Sequence, residues 1–402
     1  MESLNEEGKG RDGPAPAPVV IGGMVLDINC SPSVDANRGT TTPGKIVYTL
    51  GGVARNIAEC MSKLGAKPYL ISAVGSDMAG NLLLEHWKLA GLSIEGILRH
   101  HSIETPSVCH IYDSKGEVAA GVANVEAVEK HLTATWILNF KPNILSAPVL
   151  LLDANLNSSA LEASCQLAAE CNTPVWFEPV SVVKSRRIAS IVNHITFASP
   201  NEDELIAMGN AVSGAEKFHP IKKGCPPLSI ETMFQMLKPA ISVLLHKGIK
   251  VLIVTIGSKG AFLCFRGMMG SIKKLVDLKR NQTPCFSKEL IEAVISKCPH
   301  NHIFNSFKPK SRSNMCAVYY PALSTTSVAR LTGAGDCLVG GTLASWCAGL
   351  DFMQCLAVGI AAAKAAVEVD ANVPLEYSLA KLAVDAGIVY AGARPIFCPS
   401  ML

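Results

Sequence analysis

Short apolar runs alternate with stretches of helical periodicity along most of the chain. In one periodic stretch Ile57, Met61 and Leu64 share a face of a predicted helix. Gly65 follows as its stop signal. The apolar runs predict strands at Val19–Ile28, Pro68–Val74, Val149–Asp153, Val175–Glu178, Ile195–Ala198 and Val251–Ile256. Strands and helices in regular alternation predict an α/β fold with a doubly wound, mostly parallel sheet.

Three stretches interrupt this alternation. Residues 29–50 and 100–125 are rich in Thr, Val and Ile, and Ser114-Lys115-Gly116 marks a turn inside the second. We therefore expect a small β element that projects from the main sheet. Residues 267–320 are rich in Lys, Pro and Asn around one helical pattern, Lys288–Lys297, and are expected to form a polar surface insertion.

Composition favours a globular domain with a sizeable core. Of the 402 residues 49% are hydrophobic, whereas residues 1–17 contain little apolar material and are expected to form a disordered tail. The net charge of +3 is too small to argue for a nucleic-acid partner. No apolar run is long enough to span a bilayer, so no membrane partner is expected.

Cysteine usage and the chain terminus bear on location. The 14 cysteines stand singly, without Cys-x-x-Cys pairs, and are typical of buried thiols in a reducing compartment. The last three residues, Ser400-Met401-Leu402, are similar to the Ser-Lys-Leu type of peroxisomal address, although Met401 replaces the usual basic residue. We expect a peroxisomal protein; the alternative is a chance tripeptide on a cytoplasmic protein.

The strongest chemical motif lies near the end of the chain. Leu331-Thr332-Gly333-Ala334-Gly335-Asp336 directly precedes the apolar helical run Cys337–Leu350. Small residues at a helix start let a ligand approach the unpaired backbone amides, so the motif predicts an anion hole. Asp336 beside that hole is placed to accept a proton from an attacking hydroxyl. The alternative is a Gly-rich helix start with a favourable acidic residue.

Two earlier motifs suit a polyhydroxylated ligand. Gly51-Gly52 allows close backbone contact, and Asn56 near the start of the following helix can donate to and accept from vicinal hydroxyls. Asp27 ends the first predicted strand, and ligands of open α/β sheets bind beyond strand carboxyl ends. An ordinary capped turn is the alternative for the glycines.

Two further motifs suit a nucleotide and its metal. Asn201 and Glu204 in Ser199-Pro200-Asn201-Glu202-Asp203-Glu204 are three residues apart at a predicted helix start, which suits hydrated Mg²⁺ or, alternatively, a capping box. Thr255-Ile256-Gly257-Ser258-Lys259-Gly260 is a turn between two predicted strands that can admit ATP phosphates or ribose. Each motif alone is weak, whereas their common position after predicted strands is not.

In this order the motifs resemble the ribokinase-like (PfkB) family of sugar kinases from Pro18 to Ala393. Gly51-Gly52 with Asn56 resembles its N-terminal signature, and Leu331 to Asp336 resembles its C-terminal one. The resemblance implies a three-layer α/β/α sandwich with a small β lid, as one kinase domain over residues 18–400.

The resemblance also implies ATP-dependent phosphorylation of a sugar or nucleoside and a role for each motif. These roles are Asp336 as base, Gly333, Ala334 and Gly335 as anion hole, Asp27, Gly51, Gly52 and Asn56 on the sugar, Asn201 and Glu204 on Mg²⁺ and phosphate, and Thr255, Gly257 and Gly260 on the nucleotide. Nucleobase contacts are expected in the lid, with Thr105, His110 and Asn124 as candidates, and a homodimer through the lid is a further expectation.

Within the family, GGVARN over 51–56 together with FEPVS over 177–181 is most similar to members that phosphorylate the 5′-hydroxyl of pseudouridine. The alternatives are a kinase for ribose, adenosine or a ketose, and a scaffold without catalysis. A P-loop enzyme has little support, because Gly39–Lys45 nearly matches Walker A but Ile46 replaces the final Ser or Thr.

One residue departs from the family pattern. The family often has Asp three positions before the first glycine of the anion hole, where it contributes to a monovalent-cation site, and this chain has Arg330 there. We hypothesise that K⁺ dependence is weakened or lost, because a guanidinium opposes a nearby cation.

Overall fold

The computed structural model describes residues 16–35, 39–113, 118–221, 228–266, 288–299, 315–325 and 327–396. Four predictions lie wholly or mostly outside these residues. They concern the N-terminal tail, the Ser114-Lys115-Gly116 turn, most of the 267–320 insertion and the C-terminal tripeptide.

Fourteen strands are present in the described part of the chain, and we number them along the sequence. Ten form the main sheet: β1 Val19–Ile21, β4 Tyr69–Gly75, β5 Ile97–His100, β8 Leu150–Asp153, β9 Val175–Glu178, β10 Phe197–Ala198, β11 Val251–Thr255, β12 Ala261–Arg266, β13 Met315–Tyr320 and β14 Arg394–Pro395. Four form a second sheet, the lid: β2 Val25–Pro32, β3 Gly44–Gly51, β6 Ser107–Tyr112 and β7 Val118–Asn124.

The main sheet runs in the order β14-β13-β12-β11-β10-β9-β8-β1-β4-β5. The strands from β11 to β5 in that order pair in parallel, and only the β11–β14 edge is antiparallel. The predicted doubly wound, mostly parallel sheet is therefore confirmed. The carboxyl ends of the parallel strands share one edge, where the functional motifs follow them.

Helices cover both faces of this sheet. In the described part of the chain they are α1 Val53–Lys63, α2 Met78–Leu89, α3 Ala127–His131, α4 Ala134–Leu138, α5 Lys141–Ser146, α6 Ser158–Glu170, α7 Val182–Ser185, α8 Glu202–Ser213, α9 Ile230–Lys247, α10 Lys288–Lys297, α11 Ala334–Cys347, α12 Phe352–Val367 and α13 Leu379–Gly392. None of these described helices is long and apolar enough to cross a membrane.

Alternate strand residues point to two separate apolar cores. Val20 and Leu151 join one core with α1, α2 and α10 to α13, whereas Ile21 and Leu152 join the other with α3 to α6, α8 and α9. A strand that is buried on both faces has a continuous run of apolar residues. This is why these strands can be predicted from the sequence. The three-layer α/β/α sandwich is confirmed.

The predicted strand Val19–Ile28 is wrong, because the chain leaves the main sheet after Ile21. A Cβ at Gly22 would lie 2.1 Å from the carboxyl group of Asp153, so only glycine fits beside that side chain. The Asp153 carboxylate accepts the Gly23 N–H at 2.8 Å, and the chain resumes as β2 in the lid. Asp27 therefore lies on a lid strand, not at the end of a core strand.

The lid itself is confirmed as a four-stranded sheet in the order β3-β2-β6-β7. The predicted hairpin is the antiparallel pair β6–β7. Asp27 pairs in register with Thr49 and with Val108, so these three side chains share the lid face that looks toward the main sheet's strand ends. The predicted insertion over 267–320 is too long, because Met315–Tyr320 forms β13 of the main sheet. The helix Lys288–Lys297 inside it is confirmed.

Candidate functional site

The lid contributes Asp27 to a cleft above the main sheet. Asn372, in the loop after α12, donates from Nδ2 to Asp27 Oδ2 at 3.0 Å and to the Leu50 carbonyl at 3.1 Å. A Cβ at Gly51 would lie 2.3 Å from Asp27 Oδ2, and one at Gly52 would lie 2.4 Å from the Gly23 carbonyl. Both glycines are therefore required for the lid strands to approach this edge of the sheet.

Asp336 lies in the first turn of α11 and contacts α1. Asn56 donates from Nδ2 to Asp336 Oδ2 at 2.7 Å, across 280 positions of sequence. Gly333, the residue before α11, has φ 87°, and a Cβ there would lie 2.2 Å from the Asn372 carbonyl. The structure thus brings the predicted groups Asp27, Gly51–Gly52, Asn56 and Gly333–Asp336 together around Asn372.

The start of α11 has the properties of an anion hole. A Cβ at Gly335 would meet nothing within 4 Å, so the space beside the helix start is open. Among the described residues, no backbone acceptor bonds the amides of Gly335 and Asp336. Unpaired amides and the positive end of a helix both favour a negatively charged ligand.

Electrostatics give Asp336 the properties of a base. The pKa of Asp336 is raised to about 6, chiefly by burial and also by the charges of Asp153 and Asp27, against the opposing effects of the Asn56 hydrogen bond and the charge of Arg55. Arg55 is 2% exposed and forms an ion pair with Glu59. Its guanidinium is therefore a buried positive charge, and it interacts electrostatically with both Asp27 and Asp336.

A second group of polar residues lies at the ends of β9, β10 and β11. Asn201 and Thr255 form a parallel bridge, so they are neighbours at the sheet edge. Asn201 Oδ1 accepts the Glu204 N–H and Glu204 Oε2 accepts the Asn201 N–H, both at 2.9 Å. These bonds are a capping box, the alternative that the spacing had left open, and they use one oxygen of each side chain.

Glu178, at the end of β9, connects this group with Asp336 electrostatically. Burial raises the pKa of Glu178 well above its ordinary value, and the charges of Glu204 and Asp336 add to this effect. Ser199 donates to Glu178 Oε2 at 2.5 Å. Glu178 belongs to the FEPVS stretch, which has no local signal for a chemical role, and its position beside two further carboxylates is visible only in the structure.

Three predicted site residues have other contacts in the structure. The Thr105 hydroxyl donates to Asp77 Oδ1 and accepts the Gly75 N–H at 2.8 Å, so it joins the β4–α2 turn to the lid. Gly260 is needed by the β11–β12 turn, because a Cβ there would lie 2.0 Å from the Tyr320 carbonyl. Asn124 is exposed and donates to Glu104. Gly257 has φ 59° and open space beside it.

The model of the pfkB family carbohydrate kinases matches residues 18–274, which is more than half of the chain. The chain belongs to the pfkB carbohydrate kinase family. It is a phosphotransferase of the class that the motifs indicated, although the matched region ends before the anion-hole motif at 333–336.

The similarity to one relative extends over nearly the whole chain. A pseudouridine kinase of Arabidopsis thaliana is 52% identical over 94% of this chain and 97% of its own length. A pseudouridine kinase of Escherichia coli K12 is 33% identical over 49% of this chain and 63% of its own length.

Solved structures share the fold. An Arabidopsis thaliana ribokinase complexed with ribose and ATP has a TM-score of 0.66 at 19% identity, over 92% of this chain and 99% of that chain. A carbohydrate kinase from Agrobacterium tumefaciens has a TM-score of 0.64 at 19% identity, over 94% of this chain and 99% of that chain. At such identities the likeness concerns the fold, which is the ribokinase-like fold that the sequence predicted.

Proposed function

We propose that this pfkB-family kinase transfers the γ-phosphoryl group of ATP to the 5′-hydroxyl of pseudouridine. The arrangement that carries the proposal is a single cleft in which Asn56 contacts Asp336 and Asn372 contacts Asp27. The first pair suits a hydroxyl that loses its proton, and the second suits a sugar diol. The 52% identity with the Arabidopsis pseudouridine kinase supports pseudouridine as the acceptor.

The proposed step is an in-line transfer. The ribose lies across Asp27, the Gly51–Gly52 backbone and Asn56, with its 5′-hydroxyl toward Asp336. A bond forms between the 5′-oxygen and the γ-phosphorus as the bond to the ADP oxygen breaks, and the hydroxyl proton moves to Asp336. The amides at the start of α11 stabilise charge on the transferred group. Positioning and electrostatics supply most of the acceleration, because such transition states are loose.

Mg²⁺ fits the oxygen donors near the predicted nucleotide side. Glu204 and Glu178 lie at adjacent strand ends, where burial and then the charge of Glu204 raise the pKa of Glu178. Among the described residues, no group of three or more His, Cys, Asp or Glu side chains could hold a metal. Nucleotide phosphates and water would therefore supply most ligands of an ion that neutralises phosphate charge.

Activity is expected to depend on pH through Asp336. The raised pKa of about 6 means that the carboxylate is mostly protonated below that pH, where it cannot accept a proton. The logarithm of kcat/KM should therefore rise with pH at a slope of roughly one and level off above about pH 6. A profile with no acidic limb over this range would contradict the assignment of Asp336 as base.

We propose that the kinase does not require K⁺. Arg330 donates from one guanidinium nitrogen to Thr49 Oγ1 at 3.1 Å and to the Asp370 carbonyl at 3.0 Å, so a fixed positive charge joins the lid to the loop after α12. Turnover should change less than twofold when K⁺ replaces Na⁺ or tetramethylammonium at constant ionic strength. A steep increase with K⁺ would contradict this prediction.

We also propose that two copies associate through the outer face of the lid. On the face opposite Asp27, Ile46, Tyr48 and Val122 are 60%, 62% and 75% exposed. A second copy brings an equally apolar surface, so each lid would cover the other. Tyr48→Glu should shift the protein from dimer to monomer in light scattering, whereas Leu138→Glu, on α4, should not. A monomeric wild type would contradict the proposal.

We further propose a peroxisomal location, supported by Ser400-Met401-Leu402. A full chain with an N-terminal fluorescent tag should enter peroxisomes, and removal of these three residues should return it to the cytoplasm. A cytoplasmic signal from the intact chain would favour the alternative location.

The acceptor is tested by a panel of pseudouridine, uridine, ribose and adenosine with ATP and Mg²⁺. Release of ADP, with the product identified by ³¹P NMR, should be fastest with pseudouridine and should yield a 5′-phosphomonoester. A faster reaction with another acceptor would reassign the substrate within the family. Absence of single-turnover transfer to every acceptor would favour the inactive scaffold.

A further inference from the structure

One polar pair borders the cleft without a role in the proposed transfer. Asn155 follows β8, Lys184 lies on α7, and Lys184 Nζ donates to Asn155 Oδ1 at 2.5 Å. Neither residue lies in one of the kinase signature motifs. Their only signal is that each follows a core strand, as residues at a ligand-binding edge do.

Contacts place this pair next to the sugar side of the cleft. Asn155 Nδ2 would lie 3.5 Å from a Cβ built on Gly23, and a Cβ on Gly52 would lie 2.4 Å from the Gly23 carbonyl. Gly23 therefore separates Asn155 from the double-glycine turn by a single residue. The neighbouring Asp153 carboxylate accepts the Gly23 N–H and the Asn155 N–H, which fixes this edge.

The fold does not use the full hydrogen-bonding capacity of the pair. Lys184 is half-buried, and in the described part of the chain no carboxylate lies within ion-pair distance of its ammonium group. The nearby Asp153 affects it only electrostatically. An ammonium group has three donors, and the amide of Asn155 accounts for one of them.

The bond from Lys184 also determines which atoms the pair presents. An ammonium can only donate, so the atom that receives its bond is the Asn155 oxygen. The Asn155 amide nitrogen then points away from Lys184 and toward Gly23. One N–H of this nitrogen bonds the Asp153 carboxylate. The pair therefore offers hydrogen-bond donors alone, from the second amide N–H and from the ammonium. Such a surface binds carbonyl oxygens and leaves an exocyclic amine without a partner.

The contacts proposed for the ribose determine which part of the substrate can reach Asn155 and Lys184. The ribose and its 5′-hydroxyl extend from Asp27 to Asp336, so the base at C1′ must occupy a different part of the floor. Of the three lid candidates, Thr105 and Asn124 have partners in the β4–α2 turn and on Glu104. His110 lies on the lid face of Asp27 and acts on it electrostatically, so it stays a candidate on the lid side of the base. In the described part of the chain, Asn155 adjoins Gly23 and its partner Lys184 adjoins Asn155, and both keep N–H donors that the fold does not use.

We propose that Asn155 and Lys184 bind the carbonyl oxygens of a uracil-type base and so select the acceptor nucleoside. This inference rests on the proposed nucleoside kinase function and extends it. Lys184 acts as a ligand and also as the group that orients Asn155. A cytosine-type or adenine-type base, which presents an amine in place of a carbonyl, is disfavoured at this position.

Calorimetric binding to the full chain tests the pair. Asn155→Asp keeps the shape of the side chain but removes both donors, and it should weaken pseudouridine binding roughly 10- to 100-fold. Lys184→Met should weaken it roughly 10-fold, and Lys184→Arg, which can still donate, should recover part of the affinity. The Kd of ATP should be unchanged in all three variants, which also reports that they are folded.

Matched controls carry the same chemical changes at the opposite edge of the sheet. Asn193→Asp and Lys250→Met alter exposed residues that precede β10 and β11, and they should bind pseudouridine as the wild type does. Weakened ATP binding with normal pseudouridine binding would overturn the proposal and assign Lys184 to the phosphates. Normal pseudouridine binding by both Asn155→Asp and Lys184→Met would overturn it as well.

The binding experiment distinguishes a failure of the proposed base contacts from a failure of the proposed function. A wild type that binds no pseudouridine refutes the proposed acceptor, whatever the variants do. A wild type that binds pseudouridine but prefers cytidine refutes the donor-only surface while leaving the kinase assignment intact.

Discussion

Asp336→Asn is expected to lower kcat by roughly 10²–10⁴-fold while the Kd of ATP stays at its wild-type value. The amide oxygen of the variant can still accept the hydrogen bond from Asn56, which measures 2.7 Å in the wild type, so the geometry of the site is retained. What the variant loses is the ability to take up a proton from the acceptor hydroxyl. Steady-state kinetics with pseudouridine and calorimetry with ATP measure the two quantities.

Two results would argue against Asp336 as the base that accepts the hydroxyl proton. Near-normal turnover of Asp336→Asn would remove the carboxylate from the role of base. A parallel loss of ATP binding would mean that the change disturbs the start of α11, not proton transfer. Glu95→Gln makes the same chemical change at an exposed residue before β5, at the opposite sheet edge, and should leave both values unchanged.

Asp27→Asn is expected to raise the KM for pseudouridine roughly 10- to 100-fold with little change in the KM for ATP. A carboxylate accepts hydrogen bonds from two hydroxyls with charge assistance, whereas an amide offers one acceptor and introduces donors. Burial raises the pKa of Asp27, but Asn372 and the charge of Arg330 favour its ionised form. Initial-rate measurements with either substrate varied separate the two KM values.

The opposite pattern would contradict the account of the lid. If Asp27→Asn changed the KM for ATP and left that for pseudouridine unaltered, Asp27 would belong to the nucleotide side. Thr49→Val supplies a control on the same lid face: it removes a hydroxyl that contacts Arg330 and Asn29 but lies one strand away from Asp27. It should have a smaller effect on the KM for pseudouridine than Asp27→Asn.

Much of the fold was predictable because the main strands are buried on both faces. The run Val175–Glu178 was predicted with the same bounds that β9 has, and the helix Lys288–Lys297 likewise. The prediction failed at Val19–Ile28, where two apolar strands are separated only by the short segment Gly22-Gly23-Met24. The reason for that break is the Asp153 side chain, which is 130 positions from Gly23 in the sequence and is brought there by the β1–β8 pairing.

The residues of the candidate site also divide into those with a local sequence signal and those whose role depends on long-range contacts. Groups at the start of a helix or in a glycine turn, such as Asp336 and Gly51–Gly52, carry a local signal and were predicted. Asn372 has no local signal, because its importance comes from a contact with Asp27 across 345 positions. Thr105 was a candidate for nucleobase contact because it lies in the lid stretch, but its hydroxyl bonds within a turn. Asn155 and Lys184 become a pair only when β8 and β9 lie side by side.

A crystal structure of the ternary complex with pseudouridine, Mg²⁺ and a non-hydrolysable ATP analogue tests the central claim most directly. The account predicts that the 5′-oxygen lies about 2.6–3.2 Å from an Asp336 carboxylate oxygen, with the γ-phosphate at the Gly333–Gly335 amides. A nucleoside bound with its 5′-oxygen remote from Asp336, or a γ-phosphate held elsewhere, would contradict it.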